Sequence, residues 1–109
     1  MERFDIKKIV GSECFYCVGE KDEEGRKKRK LFKTGEGDEG KVFLVKNKNT
    51  IEVRTDEKLG KVLVQKYESV MKSRYFGKNG IEIVDSGQLE DSEIEDLIRL
   101  SYNLSKEIQ

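Results

Sequence analysis

Residues 75–102, YFGKNGIEIVDSGQLEDSEIEDLIRLSY, constrain the fold more than any other part of this 109-residue chain. Gly77 and Gly80 indicate a turn, and the apolar residues after them alternate with polar ones, as is typical of a half-buried strand. Ser92 followed by Glu95 has the spacing of a capping box, which predicts the start of an amphipathic helix. A turn, a strand and a helix in this order predict a helix packed on a sheet.

Two amphipathic helices are predicted from spacings of three and four residues. The apolar positions of the first are Leu59, Val62, Leu63, Tyr67, Val70 and Met71. Thr55 or Asp56 can cap its N-terminus. The core face of the last helix is predicted to consist of Ile94, Leu97, Ile98, Ser101, Leu104 and Ile108.

Strand patterns occupy most of the remaining chain. Residues 41–46 have an apolar centre, VFLV, which predicts a central strand. Residues 50–54 alternate, which predicts a strand with one solvent-exposed face bearing Glu52 and Arg54. These two strands form a predicted hairpin, and residues 13–18 and 28–34 form another. With a last strand at 80–85 and a short helix or irregular lead-in at 1–10, we expect an α+β fold. We expect a single two-layer domain, residues 1–109, with an antiparallel sheet of about five strands and two to three helices on one face.

Charge and composition restrict the function. Lys and Arg total 22, as do Asp and Glu, so the chain has no net positive field and only a local patch could contact nucleic acid. The chain has no histidine, which removes the usual general base and nitrogen metal ligand. We therefore expect a non-enzymatic protein, since an enzyme would need paired carboxylates that the sequence does not place. No membrane-spanning run or secretory signal is evident, so we expect a cytoplasmic protein with no membrane partner.

Two short motifs match metal or cofactor patterns. Cys14 and Cys17 could be half a zinc site or a redox pair, but a closed zinc site needs four ligands and a redox pair opens a helix. The glycines at 35, 37 and 40 match a dinucleotide fingerprint in spacing only, because a strand follows them and acidic residues lie between them. We predict packing for the cysteines, an acidic loop for the glycines, and no metal or cofactor.

Basic residues form two candidate nucleic-acid contacts. The first is the basic hairpin run Arg26, Lys27, Lys28, Arg29, Lys30 and Lys33; the second is Lys72, Arg74 and Lys78. The segment from Gly77 to Gly80 also matches the Gly-x-x-Gly loop of KH domains, although here it is expected to join a helix to a strand as a plain turn. The alternative for both clusters is solvated surface. A DNA-binding function is favoured if they lie on one face and disfavoured if they lie apart.

The C-terminal half resembles the MmcQ/YjbR family over about residues 41–105. The matching residues are Tyr75, Gly77, Lys78, Gly80 and the pair Ser101 and Tyr102, with a strand–turn–strand at 41–56 leading into a helix. Two departures are Ile81, where the family carries tryptophan, and residues 1–40, which match poorly. The resemblance implies a compact α+β domain of the frataxin-like or double-wing kind, similar to secretion chaperones.

The resemblance also supplies the functional expectation, because the family is labelled DNA-binding largely by structural likeness. The leading hypothesis is therefore DNA binding through the basic hairpin and backbone phosphates. The alternative is a protein-binding or chaperone-like module, which predicts an exposed apolar patch.

Overall fold

The computed structural model describes residues 4–11, 15–18, 30–35 and 40–107, and residues 15–18 by their backbone alone. Three helices and six strands follow one another as α1 (Ile6–Val10), β1 (Phe15–Val18), β2 (Lys30–Lys33), β3 (Val42–Lys46), β4 (Thr50–Arg54), α2 (Glu57–Lys66), β5 (Val70–Ser73), β6 (Gly77–Val84) and α3 (Asp91–Glu107).

The strands form one antiparallel sheet in the order β1-β2-β3-β4-β6-β5. Both predicted hairpins are present, as β1–β2 and β3–β4. The last strand, β6, inserts between β4 and β5, so β5 lies at one end of the sheet. Helix α3 packs on β3 and β4, α2 packs on β5 and β6, and α1 contacts α3. The expected two-layer α+β architecture is confirmed, with β5 as a strand beyond those predicted.

The core lies between the sheet and its helices. Leu44, Val53 and Ile81 are cross-strand neighbours on β3, β4 and β6, and all three are buried. Ile94 and Ile98 of α3 are fully buried in the same cluster, as their spacing predicted. Each such side chain contributes about 1.5–3 kcal/mol when it leaves water, so this layer is the main source of stability.

Ser101 completes the hydrogen bonding between β3 and β4 near the end of their pairing. Its hydroxyl accepts a bond from the Arg54 amide at 2.7 Å and donates one to the Phe43 carbonyl. The neighbouring Tyr102 packs its ring against Phe43 in an edge-on contact, with 5.0 Å between centroids. Both residues of the Ser101–Tyr102 pair therefore lie in the interface between helix and sheet.

Helix starts follow the predicted chemistry at one helix and differ at the other. Asp56 caps α2, and its carboxylate accepts from the Leu59 amide at 2.7 Å. Helix α3 begins at Asp91, before the predicted Ser92 cap. The Glu93 carboxylate accepts a hydrogen bond from the Glu90 amide at 3.2 Å. Glu93 therefore has the capping role at the helix N-terminus that was predicted for Glu95.

The prediction that Val70 and Met71 continue α2 is wrong. The helix ends at Lys66, and Tyr67 has extended backbone dihedrals, φ −123° and ψ 127°. Val70 then pairs with Ile83 of β6. Spacings of three and four residues cannot distinguish a helix from a helix followed by a short strand, because tertiary pairing decides the outcome.

The prediction that Glu52 of β4 faces solvent is also wrong, because this residue is 0% exposed. Three donors that come together only in the folded sheet satisfy its carboxylate. On the last helix, Ile108 of the predicted core face lies outside the described residues.

Candidate functional site

Strand β5 is at the end of the sheet, and its outer edge pairs with no other strand among the residues that the structure describes. The Val84 amide donates to the Ser69 carbonyl at 3.0 Å, and Met71 lies opposite Glu82. Along an antiparallel strand, the main-chain groups of alternate residues face the paired strand and the open side in turn. The N–H and C=O of Met71 therefore face β6, and those of Val70 and Lys72 face away from it.

The outward groups of β5 form a short hydrogen-bonding row. The Val70 amide donates to the Tyr67 carbonyl at 3.2 Å, which leaves the Val70 carbonyl and both main-chain groups of Lys72 facing the edge. Within residues 40–107 and the other described segments, no side chain bonds to these three groups. An added strand could therefore form three main-chain hydrogen bonds here.

A cleft of about 260 Å³ opens beside this edge, between α2 and strands β5 and β6. Its lining residues are Glu57, Gly60, Lys61, Val64, Gln65, Lys72, Lys78 and Gly80. The two glycines are buried and bring the α2 and β6 backbones close together, and Val64 is 38% exposed within the cleft. The interior is therefore apolar beneath a charged rim.

The rim of the cleft is basic. Lys61 is paired with Glu57 one helical turn earlier, at 3.8 Å. Lys72 and Lys78 are exposed, and neither has an ion pair with any residue that the structure describes. These two lysines of the second predicted cluster are therefore brought together, and they carry charge that no described carboxylate neutralises.

Arg74, the third member of that cluster, lies elsewhere. Its guanidinium donates to both Glu82 carboxylate oxygens, at 3.0 and 2.8 Å. The hydrogen bond to Glu82 raises the pKa of Arg74 above its ordinary value. Since Glu82 has its side chain on the sheet face away from the cleft, Arg74 stabilises that carboxylate and is not part of the lysine rim.

The described part of the basic hairpin run lies toward the other end of the sheet. Lys30 and Lys33 are in β2, and four inter-strand spacings, roughly 19 Å, separate β2 from β5. Arg26, Lys27, Lys28 and Arg29 lie outside the described residues. The two clusters are therefore not continuous in the part of the chain that the structure describes.

The paired carboxylates that the sequence could not place are Glu52 and Glu82, which are direct cross-strand neighbours. Glu52 accepts from Ser73 Oγ at 2.8 Å, from the Tyr75 amide at 2.9 Å and from Asn47 Nδ2 at 2.9 Å. These donors offset the repulsion expected between facing like charges. The pair therefore anchors the β5–β6 turn to β4.

Sequence reasoning missed this carboxylate network for a simple reason. Glu52 alternates with Ile51 and Val53, and a charged residue in that position is typical of a solvent-facing strand. Its partners Ser73 and Tyr75 lie more than twenty residues away in sequence. No local signal identifies them.

The remaining motifs carry no site in the described residues. The prediction that Gly77 to Gly80 form a turn between a helix and a strand is wrong, because these residues are the first four of β6, which follows β5 in a hairpin. Cys17 lies in β1 with its backbone opposite Leu31, whereas Cys14 is outside the described residues. No group of three potential metal ligands occurs among the described residues.

Comparisons with known proteins show the fold. No protein-family model and no curated protein matches the sequence. The structure is similar to a Deinococcus radiodurans protein, DR2400, with a DUF419 domain, at a TM-score of 0.79 and 15% identity over 94% of this chain and 77% of that one. It is also similar to a Pseudomonas syringae protein, at a TM-score of 0.60 and 18% identity over 72% of this chain and 77% of the other. The DUF419 domain has a YjbR-like fold, and this chain shares it.

Helices that could cross a membrane are absent from the described part of the chain.

Proposed function

We propose that the protein is a non-enzymatic binding module that accepts an extended segment of a partner protein along the edge of β5. The observation that carries this proposal is the row of outward main-chain groups at Val70 and Lys72 beside an open cleft. Strand addition at an exposed sheet edge is a recurring mode of peptide recognition, in which main-chain bonds give affinity and adjacent pockets give specificity.

Exposed apolar side chains flank this edge on both sides. Val64 lies in the cleft on the helix side of β5, and Met71, 41% exposed, lies on the opposite face. An added strand has side chains on both faces, so it would contact both residues. These contacts would bury two apolar side chains in addition to the main-chain hydrogen bonds.

DNA binding through backbone phosphates is a second candidate, which the unpaired Lys72 and Lys78 favour. The net charge of zero, the separation of β2 from β5 and the pairing of Arg74 with Glu82 all disfavour it. A mobility shift with duplex DNA at ~50 mM salt tests it, and an unshifted duplex would eliminate it.

Family membership and location are further proposals. The shared YjbR-like fold, together with Tyr75, Gly80 and the pair Ser101–Tyr102, supports assignment as a divergent MmcQ/YjbR protein. The double-wing likeness and the cytoplasmic location expected from the sequence stay predictions.

The edge-strand proposal is tested with a neutral eight-residue peptide in which Thr and Val alternate. NMR titration of the ¹⁵N-labelled chain is expected to shift the Lys72 and Met71 amides and to slow hydrogen exchange at Lys72. The same peptide with an N-methyl group on every residue should not bind, because methyl groups then block both of its edges. Amide shifts that are equal for both peptides, or absent from β5, would contradict the proposal.

Lys72→Pro is the matching variant of the protein. Proline is tolerated in an edge strand where the amide faces solvent, so the variant should fold while losing one donor of the row. Its thermal transition reports folding and its titration reports binding. If Lys72→Pro unfolds, the N-methylated peptide still decides the question.

A further inference from the structure

Main-chain bonds at the β5 edge are too few to hold a partner alone. The row offers the Val70 carbonyl and the two main-chain groups of Lys72, and each such bond contributes little net free energy in water. Losses of translational and side-chain freedom oppose association. Side-chain contacts in the cleft must therefore select the partner.

The chemistry of the cleft indicates which side chains it accepts. Lys72 lies opposite Ile81, on the helix-covered face of the sheet, so its side chain extends beside α2. Every second residue of a strand paired with β5 would point to that same side. Such a residue would pass Val64 and end among Lys61, Lys72 and Lys78.

We infer that the β5 edge selects an acidic extended segment, in which aspartate or glutamate alternates with aliphatic residues. This inference rests on the proposed function. The acidic side chains enter the cleft, place their methylene groups against Val64 and pair with Lys72 and Lys78. The aliphatic side chains lie on the opposite face and cover Met71. Complementary charge both raises the association rate and rejects basic segments.

The inference is tested with three eight-residue peptides, in which Val alternates with Glu, Thr or Lys. NMR titration at ~50 mM salt should give the tightest binding for the Glu/Val peptide, about ten-fold tighter than for Lys/Val, with the preference reduced at high salt. The shifted amides should centre on Lys72 and Lys78.

Two pairs of matched variants test whether the acidic side chains of the peptide enter the cleft. Val64 and Val62 lie on the same helix and are both exposed, at 38% and 56%, but only Val64 lines the cleft. Val64→Glu should weaken Glu/Val binding at least ten-fold, and Val62→Glu should leave it unchanged. Lys78→Glu should also weaken binding, with the exposed turn residue Lys48→Glu as its control.

The outcomes separate the two proposals. Equal binding of all three peptides at β5 would overturn the acidic preference and leave the edge-strand function standing. Binding by none of them would overturn both. Shifts centred on Lys30 and Lys33 would also overturn both, because they would place the contact at the other end of the sheet.

Discussion

Ser101 shows how one hydroxyl can connect a helix to a strand pair. The Arg54 amide and the Phe43 carbonyl lie where β3 and β4 no longer pair directly, and Ser101 bridges them from α3. Arg54 is tied to the same helix through its Nε, which donates to Ser105 Oγ at 3.0 Å, and burial lowers the pKa of its guanidinium. A small polar residue on an apolar helix face is therefore required at this position.

Ser101→Ala is expected to lower the free energy of unfolding by about 1–3 kcal/mol, since a buried amide and a buried carbonyl both lose a partner. Urea denaturation measures the change. Ser92→Ala in the exposed first turn of the same helix is the control, and its effect should stay within about 0.5 kcal/mol. Equal effects of the two substitutions would show that the bridge contributes no stability.

At the scale of elements, the β5–β6 hairpin is shaped by two glycines with different physical roles. Gly77 has φ of +62° and open space around it, so only its backbone conformation is demanding. A Cβ at Gly80 would lie 2.5 Å from Phe76 Cβ and 2.7 Å from the Val53 carbonyl oxygen. Gly80 is therefore required because its backbone lies close to both the turn residue Phe76 and the neighbouring strand β4.

Gly80→Ala is expected to destabilise the protein by about 1–3 kcal/mol, because the added methyl overpacks against backbone that cannot move freely. Gly77→Asn is the matched control and should have a small effect, since asparagine tolerates a left-handed conformation. Thermal or urea unfolding of both variants gives the comparison. If Gly80→Ala is as stable as the parent, the hairpin must have room that the structure does not show.

At the scale of the whole molecule, sheet order determines which charges can act together. Lys30 and Lys33 are about 19 Å from β5 by strand spacing, which exceeds the Debye length of about 10 Å at 0.1 M salt. Lys72 and Lys78, from neighbouring strands, share one cleft. The described lysines of the two basic clusters therefore lie on separate surfaces.

This separation gives a prediction for any DNA binding through the basic hairpin. Replacing both Lys30 and Lys33 by Glu should reduce the slope of log affinity against log salt by about 2, since each phosphate contact contributes about 0.9. Replacing both Lys72 and Lys78 by Glu should leave that slope unchanged. Mobility shifts over a salt series measure both, and equal losses of slope would show that the clusters form one DNA surface.

The elements with strong local signals could be predicted from the sequence. The β3–β4 hairpin, the Asp56 cap of α2 and the buried Ile94 and Ile98 of α3 follow from alternation, side-chain capping and helical spacing. These features depend on residues within a few positions of one another. The α+β layering follows because each amphipathic face must be buried against another element.

The candidate site was decided by tertiary structure. Lys72 and Lys78 were chosen from the sequence as basic residues, but the cleft that they line depends on α2, and the open edge depends on β6 inserting between β4 and β5. Glu52 is buried for the same reason, since two of its named donors, Ser73 and Tyr75, lie more than twenty residues away in sequence. By itself the sequence determined local conformation and apolar periodicity; only the folded chain decided which strand became the edge and which charges remained unpaired, because both depend on long-range neighbours.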